Sequence, residues 1–243
     1  MLRTLFIAVF LSLYTVVAGI PLLLYTVISR NPNALYWAGV RGVRFFVRAV
    51  GVKFRVKGLE RIPQGTCLFV ANHTSSADAP AVVGAIPRRI AILLKRSLFS
   101  VPIVGQAFTL AHFIPVDRSK HEEAVAALEK ATEALRAGQS FLVYPEGTRS
   151  PDGRLQEFKK GAMVMAIKAG VPIVPMACSG AQRVMEKRSL VVHPGEILVE
   201  FLEPIDALKY TLEQREELRQ RVHGALAAGL PPDQRPLGFP GAA

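Results

Sequence analysis

Charged residues are absent from a long stretch near the start of the chain. Between Arg3 and Arg30, residues 4–29 are almost all apolar. This length exceeds the ~20 residues that cross the hydrocarbon core of a bilayer. It also exceeds the roughly 7–15 residues of a signal-peptide core, and no small-residue cleavage site closes it. The pattern predicts a membrane anchor, either a tilted span or a helical hairpin, with a break expected near Gly19 and Pro21.

A second pattern follows directly. Within residues 35–50, Arg41, Arg44 and Arg48 fall on one helical stripe, beside apolar and aromatic positions. A basic stripe next to apolar residues is typical of a helix that lies in the headgroup layer of an anionic membrane. We therefore expect residues 1–50 to be N-terminal membrane-anchoring helices.

From residue 51 the pattern changes to short apolar runs separated by helical periodicity. Such alternation predicts an α/β fold in which a largely parallel mixed sheet is flanked by helices. This domain is expected over residues 51–230, and the proline- and glycine-rich residues 231–243 are expected to form a disordered tail. The predicted strands are 53–56, 67–71, 90–94, 113–115, 140–144, 173–177, 189–193 and 197–201, and the predicted helices are 78–85, 120–137, 161–169 and 212–226.

The amount and distribution of charge limit the classes of partner that the protein is expected to bind. The formal net charge is +11, and the whole basic excess lies before Asp117. Because lysine and arginine follow the apolar segment, the catalytic part is expected on the cytoplasmic face of the cell membrane. Nucleic acid would also suit a basic surface, but it does not explain the apolar segment, so no nucleic-acid partner is expected. The two cysteines, Cys67 and Cys178, sit in apolar runs and are read as buried side chains in a reducing compartment.

Candidate chemistry begins after the apolar run at residues 67–70. His73 and Asp78 are five positions apart, which at ~100° per residue does not bring two side chains together on one helix. A turn through the intervening threonine and serines would do so, with Asp78 near the N-cap of the next helix and Pro80 inside it. A carboxylate that orients an imidazole makes it a general base for a hydroxyl.

A second polar cluster follows the apolar run at residues 141–143. Here Glu146, Gly147 and Arg149 arrive together at a strand end. Glycine lets the backbone approach a ligand, and a guanidinium suits a phosphate, which it can bind bidentately. A surface turn in which Glu146 and Arg149 form a solvent-exposed ion pair accounts for the same residues equally well.

Four blocks occur in order between residues 72 and 175. They are N-H-T-S-S-A-D at 72–78, F-I-P-V-D-R at 113–118, Y-P-E-G-T-R-S at 144–150 and V-P-I-V-P at 171–175. The set resembles the glycerolipid acyltransferase family, and within it the 1-acylglycerol-3-phosphate acyltransferases. The sequence differs in having Tyr144 where phenylalanine is usual, and in a widened second block that shifts Arg118.

The resemblance implies an acyl transfer from a thioester donor, acyl-CoA or acyl carrier protein, to a lysophospholipid. The acceptor is expected to be 1-acylglycerol 3-phosphate and the product phosphatidate. His73 and Asp78 would be catalytic. Glu146 would contact the glycerol region, while Arg118 and Arg149 would assist with the phosphate. No cofactor and no metal ion is expected, because histidines and cysteines are not grouped at ligand spacing.

Other interpretations stay open at this stage. Lys95, at a predicted strand end, is a further candidate for the phosphate site. Another lyso-lipid acceptor would use the same residues. A serine lipid hydrolase is less favoured because no G-x-S-x-G motif is present; Ser179-Gly180 lacks the first glycine. A non-catalytic membrane lipid-binding protein would have no reason to keep these polar residues at strand ends.

Overall fold

The strands that the structure forms are short and mostly buried. The computed structural model describes residues 2–117, 120–186, 189 and 191–240. Within them, the strands are β1 (Val52–Lys57), β2 (Leu68–Ala71), β3 (Ala91–Lys95), β4 (Ile114–Val116), β5 (Phe141–Val143), β6 (Ile173–Ser179) and β7 (Gly195–Phe201). They form one seven-stranded sheet in the order β1-β7-β6-β2-β5-β3-β4. Neighbours are parallel except for β6 and β7, so the predicted mixed, largely parallel sheet is confirmed.

Helices cover both faces of this sheet. They are α1 (Leu2–Val17), α2 (Gly19–Ser29), α3 (Asn33–Ala49), α4 (Asp78–Ala85), α5 (Val104–Leu110), α6 (His121–Arg136), α7 (Gly161–Ala169), α8 (Ala181–Val184) and α9 (Arg215–Gly229). Strand β2 shows why its sequence is a continuous apolar run. Phe69 and Ala71 belong to the apolar cluster that contains Val82 of α4. Leu68 and Val70 face the opposite cluster, which contains the inner sides of α6, α7 and α9.

The N-terminal helices lie against the sheet domain. The Tyr14 hydroxyl of α1 donates to the carbonyl of Ala38 in α3 (3.0 Å), and the Thr4 hydroxyl accepts the backbone N–H of Val192 (3.2 Å). Gly42 is needed at this contact, because a Cβ there would lie 2.4 Å from the Tyr14 ring. Among the described residues, 2–29 are the one helical stretch long and apolar enough to cross a membrane, a criterion that a core helix of a soluble protein or a signal sequence also meets.

Several predicted elements need correction. Residues 189 and 191–193 do not form a strand, since the His193 N–H binds the carbonyl of Val184 at the end of α8. The predicted helix 212–226 begins later, at Arg215, and runs to Gly229. The short helices α5 and α8 were not predicted, because they hold too few residues for a periodic pattern.

The tail differs most from its prediction. Residues 231–240 are packed against the domain instead of disordered, and the Gln234 side chain is completely buried. Phe239 is partly buried in the apolar cluster below α9. Composition alone suggested disorder, whereas the structure shows Gln234 and Phe239 in contact with the domain.

The basic stripe of α3 is also divided. The Arg44 guanidinium donates to the carbonyl of Gly84 near the end of α4 and lies over the Phe54 ring. It therefore ties α3 to α4 instead of facing solvent. Arg41 and Arg48 remain exposed, stacked on Trp37 and Phe54 at 5.7 and 5.6 Å.

Candidate active site

The two polar clusters meet at the carboxyl ends of neighbouring strands. β2 and β5 are parallel, with Val70 opposite Val143. The segment that follows β2, residues 72–77, is called here the β2 loop. The segment between β5 and α7, residues 144–160, is called the β5 loop. The Ser150 N–H donates to the carbonyl of His73 (2.7 Å), so the two loops are joined directly. This edge is where open parallel sheets place ligands.

The β2 loop folds around the carboxylate of Asp78. His73 Nδ1 lies 2.8 Å from Asp78 Oδ2, and the backbone N–H groups of Thr74 and Ser75 donate to the same oxygen at 2.7 and 2.8 Å. Asp78 is completely buried. It occupies the first position of α4, directly after the N-cap residue Ala77, as the prediction of a place near the N-cap implied. The turn brings the two predicted catalytic side chains together.

Glu146 lies behind His73. One carboxylate oxygen accepts the backbone N–H of His73 (2.6 Å), and the other accepts the backbone N–H of Gln156 (3.1 Å). The side chain is only 4% exposed. Burial raises its pKa to about 8, and the negative Asp78 nearby adds to the rise, although both N–H groups act in the opposite direction. Both oxygens are thus engaged with backbone, which suits a brace for His73 better than a ligand contact.

Arg149 links the two loops through its side chain. Its guanidinium Nη1 lies 2.6 Å from the Ser76 hydroxyl, and the side chain is half-buried. The alternative in which Glu146 and Arg149 form an exposed ion pair does not fit the structure at Glu146. Both oxygens of this carboxylate accept backbone N–H groups instead. Gly147 adopts φ +79°, and a Cβ there would lie 2.9 Å from Lys159 Cε. The positive φ favours glycine for the turn, whereas the Lys159 chain end is exposed and flexible and could move to admit a Cβ.

The remaining candidates lie further along the edge. Lys95 is exposed at the carboxyl end of β3, next to β5 in the sheet. Continuing the register of Ala91 with Phe141 places Lys95 level with Pro145. Arg118 lies outside the described residues, so its predicted role stays a prediction.

Three residues that the sequence did not assign complete the site. The Tyr144 ring stacks on the His73 imidazole, with centroids 4.2 Å apart. The Cys178 thiol lies 3.7 Å from Asp78 Oδ1. Asn72 clamps the same strand end, since its amide donates to the Cys178 carbonyl (2.9 Å) and accepts the Cys178 N–H (2.8 Å). Asn72 and Tyr144 had a signal in the sequence, their places in the first and third blocks, whereas Cys178 had none.

Tyr144 and Cys178 are buried, uncharged side chains that pack against His73 and Asp78 respectively. Burial raises the pKa of the Tyr144 hydroxyl and of the Cys178 thiol well above their usual values, and the Asp78 carboxylate raises both further. Both cysteines are fully buried, as their apolar surroundings predicted. Cys178 is consequently not a thiolate nucleophile. Across the described ranges, no group of three or more histidine, cysteine, aspartate or glutamate side chains could hold a metal ion.

The part of the chain that contains the candidate site residues is similar to known proteins. Residues 53–179 match the family described as Acyltransferase. The chain is 33% identical over 189 residues to the 1-acyl-sn-glycerol-3-phosphate acyltransferase of Limnanthes douglasii, which covers 77% of this chain and 67% of that protein. It is 35% identical over 150 residues to the enzyme of that name from Pseudomonas aeruginosa, covering 61% and 58%.

A solved structure extends the likeness to the fold. The crystal structure of the 1-acyl-sn-glycerophosphate (LPA) acyltransferase PlsC from Thermotoga maritima superimposes with a TM-score of 0.79. The match covers 94% of both chains at 28% sequence identity. Since residues 1–50 make up about a fifth of the chain, most of the N-terminal helical region falls within the aligned length as well as the sheet domain.

Proposed function

The chain belongs to the acyltransferase family, and we propose that it acylates 1-acylglycerol 3-phosphate at its free hydroxyl to give phosphatidate. The observation that carries the chemistry is the contact of His73 Nδ1 with Asp78 Oδ2 at 2.8 Å. Because Asp78 Oδ2 also accepts two backbone N–H groups, it serves as acceptor for the imidazole and fixes a proton on Nδ1. The other nitrogen, Nε2, is then the one that takes a proton from substrate.

The reaction follows from that tautomer. The acceptor oxygen attacks the thioester carbonyl carbon while its proton passes to His73 Nε2. Asp78 stabilises the imidazolium that results. Collapse of the tetrahedral intermediate breaks the C–S bond, and the departing thiolate takes the proton from Nε2. No acyl-enzyme is required, because the thioester is already activated and the two substrates only need to be positioned.

Phosphate recognition is assigned to Arg149, with Lys95 as a further cation at the same edge. Arg118 is included because the family resemblance implies it. Arg149 is supported by its position, half-buried beside Ser76 at the mouth of the β2 loop. A guanidinium held there can bind a phosphate through two parallel N–H donors. Glu146 is assigned to bracing His73, in place of the glycerol contact that the family resemblance implied.

Membrane attachment is proposed to be monotopic. Both ends of the α1–α2 stretch return to the sheet domain, one through Thr4 and the other through the connection to α3. A segment that crossed a bilayer would have its ends on opposite sides. The outer face is apolar and exposed, which suits immersion in one leaflet; it includes Leu5, Phe6, Val9, Phe10, Leu13, Val16, Val17, Ile20 and Leu24. The cytoplasmic face of the cell membrane is proposed from the lysine and arginine excess that follows.

One assay tests the activity. Purified full-length protein in detergent is supplied with acyl-CoA or acylated carrier protein and a panel of lyso-lipids that differ in headgroup. We expect diacyl product with 1-acylglycerol 3-phosphate in preference to acceptors that lack a free phosphate. Equal transfer to all acceptors would leave an acyltransferase of another acceptor class, and release of free fatty acid without transfer would indicate a hydrolase.

Attachment is tested by labelling. The native cysteines are fully buried, so Leu2→Cys and Ser29→Cys provide single accessible thiols. In sealed vesicles with the cytoplasmic face outward, a membrane-impermeant maleimide should label both variants. Labelling of only one would show a transmembrane span.

A further inference from the structure

The last part of the chain is ordered by a specific set of contacts. Residues 231–240, called here the C-terminal segment, leave α9 and contain a short 3-10 turn, Pro232–Gln234. The Arg235 guanidinium donates to the carbonyls of Leu230 (2.9 Å) and Pro240 (3.2 Å) and lies over the Phe239 ring at 6.0 Å. Arg235 therefore holds the two ends of the segment together and fixes it to the end of α9.

Two successive carbonyls of this segment bind the β5 loop. The Gln234 carbonyl accepts the backbone N–H of Leu155 (2.8 Å), and the Arg235 carbonyl accepts Nη1 of Arg154 (3.0 Å). Leu155 is 4% exposed and Gln234 is completely buried, whereas the contact of Arg154 with the Arg235 carbonyl is partly buried. Buried hydrogen bonds of this kind are costly to break without replacement.

The next residue of the loop points to the catalytic side. The Gln156 N–H donates to one oxygen of Glu146 (3.1 Å), whose other oxygen accepts the His73 N–H (2.6 Å). Three consecutive residues, 154–156, thus join the C-terminal segment to the brace behind the general base. Residues 151–159 contain no helix or strand, and individual contacts hold them instead: the Gly153 N–H donates to the Ser150 hydroxyl, the Lys159 N–H donates to the Pro145 carbonyl, and Arg219 of α9 binds Glu157. The bonds of residues 154 and 155 to the C-terminal segment add to these supports.

We propose that the C-terminal segment is a positioning element of the active site, which holds Glu146 and through it His73 by fixing residues 154–156. The proposal rests on the proposed function for its kinetic consequence only. A displaced catalytic group loses rate steeply, with a shift of about 1 Å costing up to ~10²-fold. The segment contributes none of the proposed catalytic or phosphate-binding residues, so its loss should affect turnover and leave binding of both substrates nearly unchanged.

Two full-length variants loosen the junction from its two sides. Arg154→Ala removes the donor to the Arg235 carbonyl, and Arg235→Ala removes the bonds that hold the segment to Leu230. Each should lower kcat about tenfold, with the KM values of donor and acceptor within about twofold of the wild-type values. Arg154→Lys keeps a donor and should recover most of the rate. Leu237→Ala is the matched control, since this side chain in the same segment is 79% exposed, and it should behave as wild type.

Amide hydrogen exchange tests the same path without any reaction. In Arg154→Ala and Arg235→Ala, exchange should accelerate at Gln156 and His73 while the core strands β2 and β6 keep wild-type protection. This result does not depend on acyl transfer. Failure of the proposed function could therefore be distinguished from failure of the positioning role of the C-terminal segment.

A double variant tests whether the C-terminal segment acts on His73 through Glu146. If the segment acts through Glu146, adding Arg154→Ala to Glu146→Gln should cost less than twofold more in kcat, because the brace is already broken. Unchanged kcat in both single variants, a full tenfold loss added to Glu146→Gln, or acceleration of exchange over the whole sheet would each overturn the proposal.

Discussion

The two loops of the active site reach similar positions by different means. In the β2 loop, Asp78 accepts N–H groups from Thr74 and Ser75, which lie four and three residues before it. In the β5 loop, Glu146 accepts an N–H from His73, 73 residues earlier, and one from Gln156, ten residues later. The first carboxylate is thus held by its own turn, and the second by parts of the chain that only the fold brings together.

Because of this difference, we expect the two loops to respond differently to substitutions. A turn that satisfies its own carboxylate keeps its geometry as long as its few residues are intact. The β5 loop depends on partners that can each be removed separately, including the C-terminal segment. Substitutions in the β2 loop should therefore affect chemistry directly, whereas those in the β5 loop should affect position, binding and stability by smaller amounts.

The largest effect is expected for the base itself. His73→Ala should lower kcat by about 10³- to 10⁴-fold, near the upper end of what a general base contributes. Asp78 keeps its two backbone donors in this variant, so circular dichroism and liposome binding should match wild type. Turnover within tenfold of wild type would remove His73 from the mechanism.

A somewhat smaller loss is expected for Asp78→Asn. The amide can preserve the turn by accepting one N–H, but it cannot stabilise the imidazolium and it favours the wrong tautomer. We expect kcat to fall about 10²- to 10³-fold at an unchanged acceptor KM. A variant that turned over normally would show that the local turn, and not the charge, is what the loop supplies.

Arg149→Ala should act on binding. Loss of a charge-assisted contact is worth about 1.5–3 kcal/mol, or one to two decades in acceptor KM. The matched comparison is an acceptor without the phosphate, for which KM should change little. Equal losses for both acceptors would mean that Arg149 only holds Ser76 and joins the loops.

The smallest effect is expected for Glu146→Gln, which should lower kcat about tenfold through misplacement of His73. Stability supplies a second readout. The pKa of Glu146 is raised from 4.5 to about 8, so the folded state binds the proton more tightly than the unfolded chain. The stability that this group contributes is complete below about pH 4.5 and is lost as pH rises through 8.

The slope of that loss is at most about 1.4 kcal/mol per pH unit. Thermal unfolding of the wild type between pH 5 and 8 should therefore show a falling melting temperature, and Glu146→Gln should flatten the curve. Lys159, exposed in the same loop, gives a control in Lys159→Gln, which should keep the wild-type slope. A Glu146→Gln curve parallel to that of the wild type would show that Glu146 does not titrate in this range.

The β2 loop also shows what sequence could predict. His73 and Asp78 lie on one turn, and the strand before them is a continuous apolar run, so both the strand end and the pairing follow from neighbouring residues. The helix α4 begins and ends where its pattern indicated, at Asp78 and Ala85. Local hydrogen bonds and periodicity act over a few residues, and their signals stay in the sequence.

The structure of the β5 loop was not accessible in that way. Its residues are compatible with an exposed ion pair of Glu146 and Arg149, and nothing in them indicates that the Glu146 oxygens would bind the N–H of Gln156 in the same loop and that of His73 in the β2 loop. The inward turn of Arg44 toward Gly84 was hidden for the same reason. Long-range hydrogen bonds leave no spacing rule, because they depend on which strands become neighbours.

The sequence by itself determined the alternation of strands and helices, the apolar N-terminal stretch and the pairing of His73 with Asp78. Each rests on burial or hydrogen bonding within a few residues, where periodicity records the environment of the side chain. Tertiary structure decided that Glu146 accepts the His73 N–H and that the C-terminal segment contacts the β5 loop. Those outcomes depend on the parallel packing of β2 and β5 and on the cost of leaving a buried polar group unpaired, which a one-dimensional pattern does not encode.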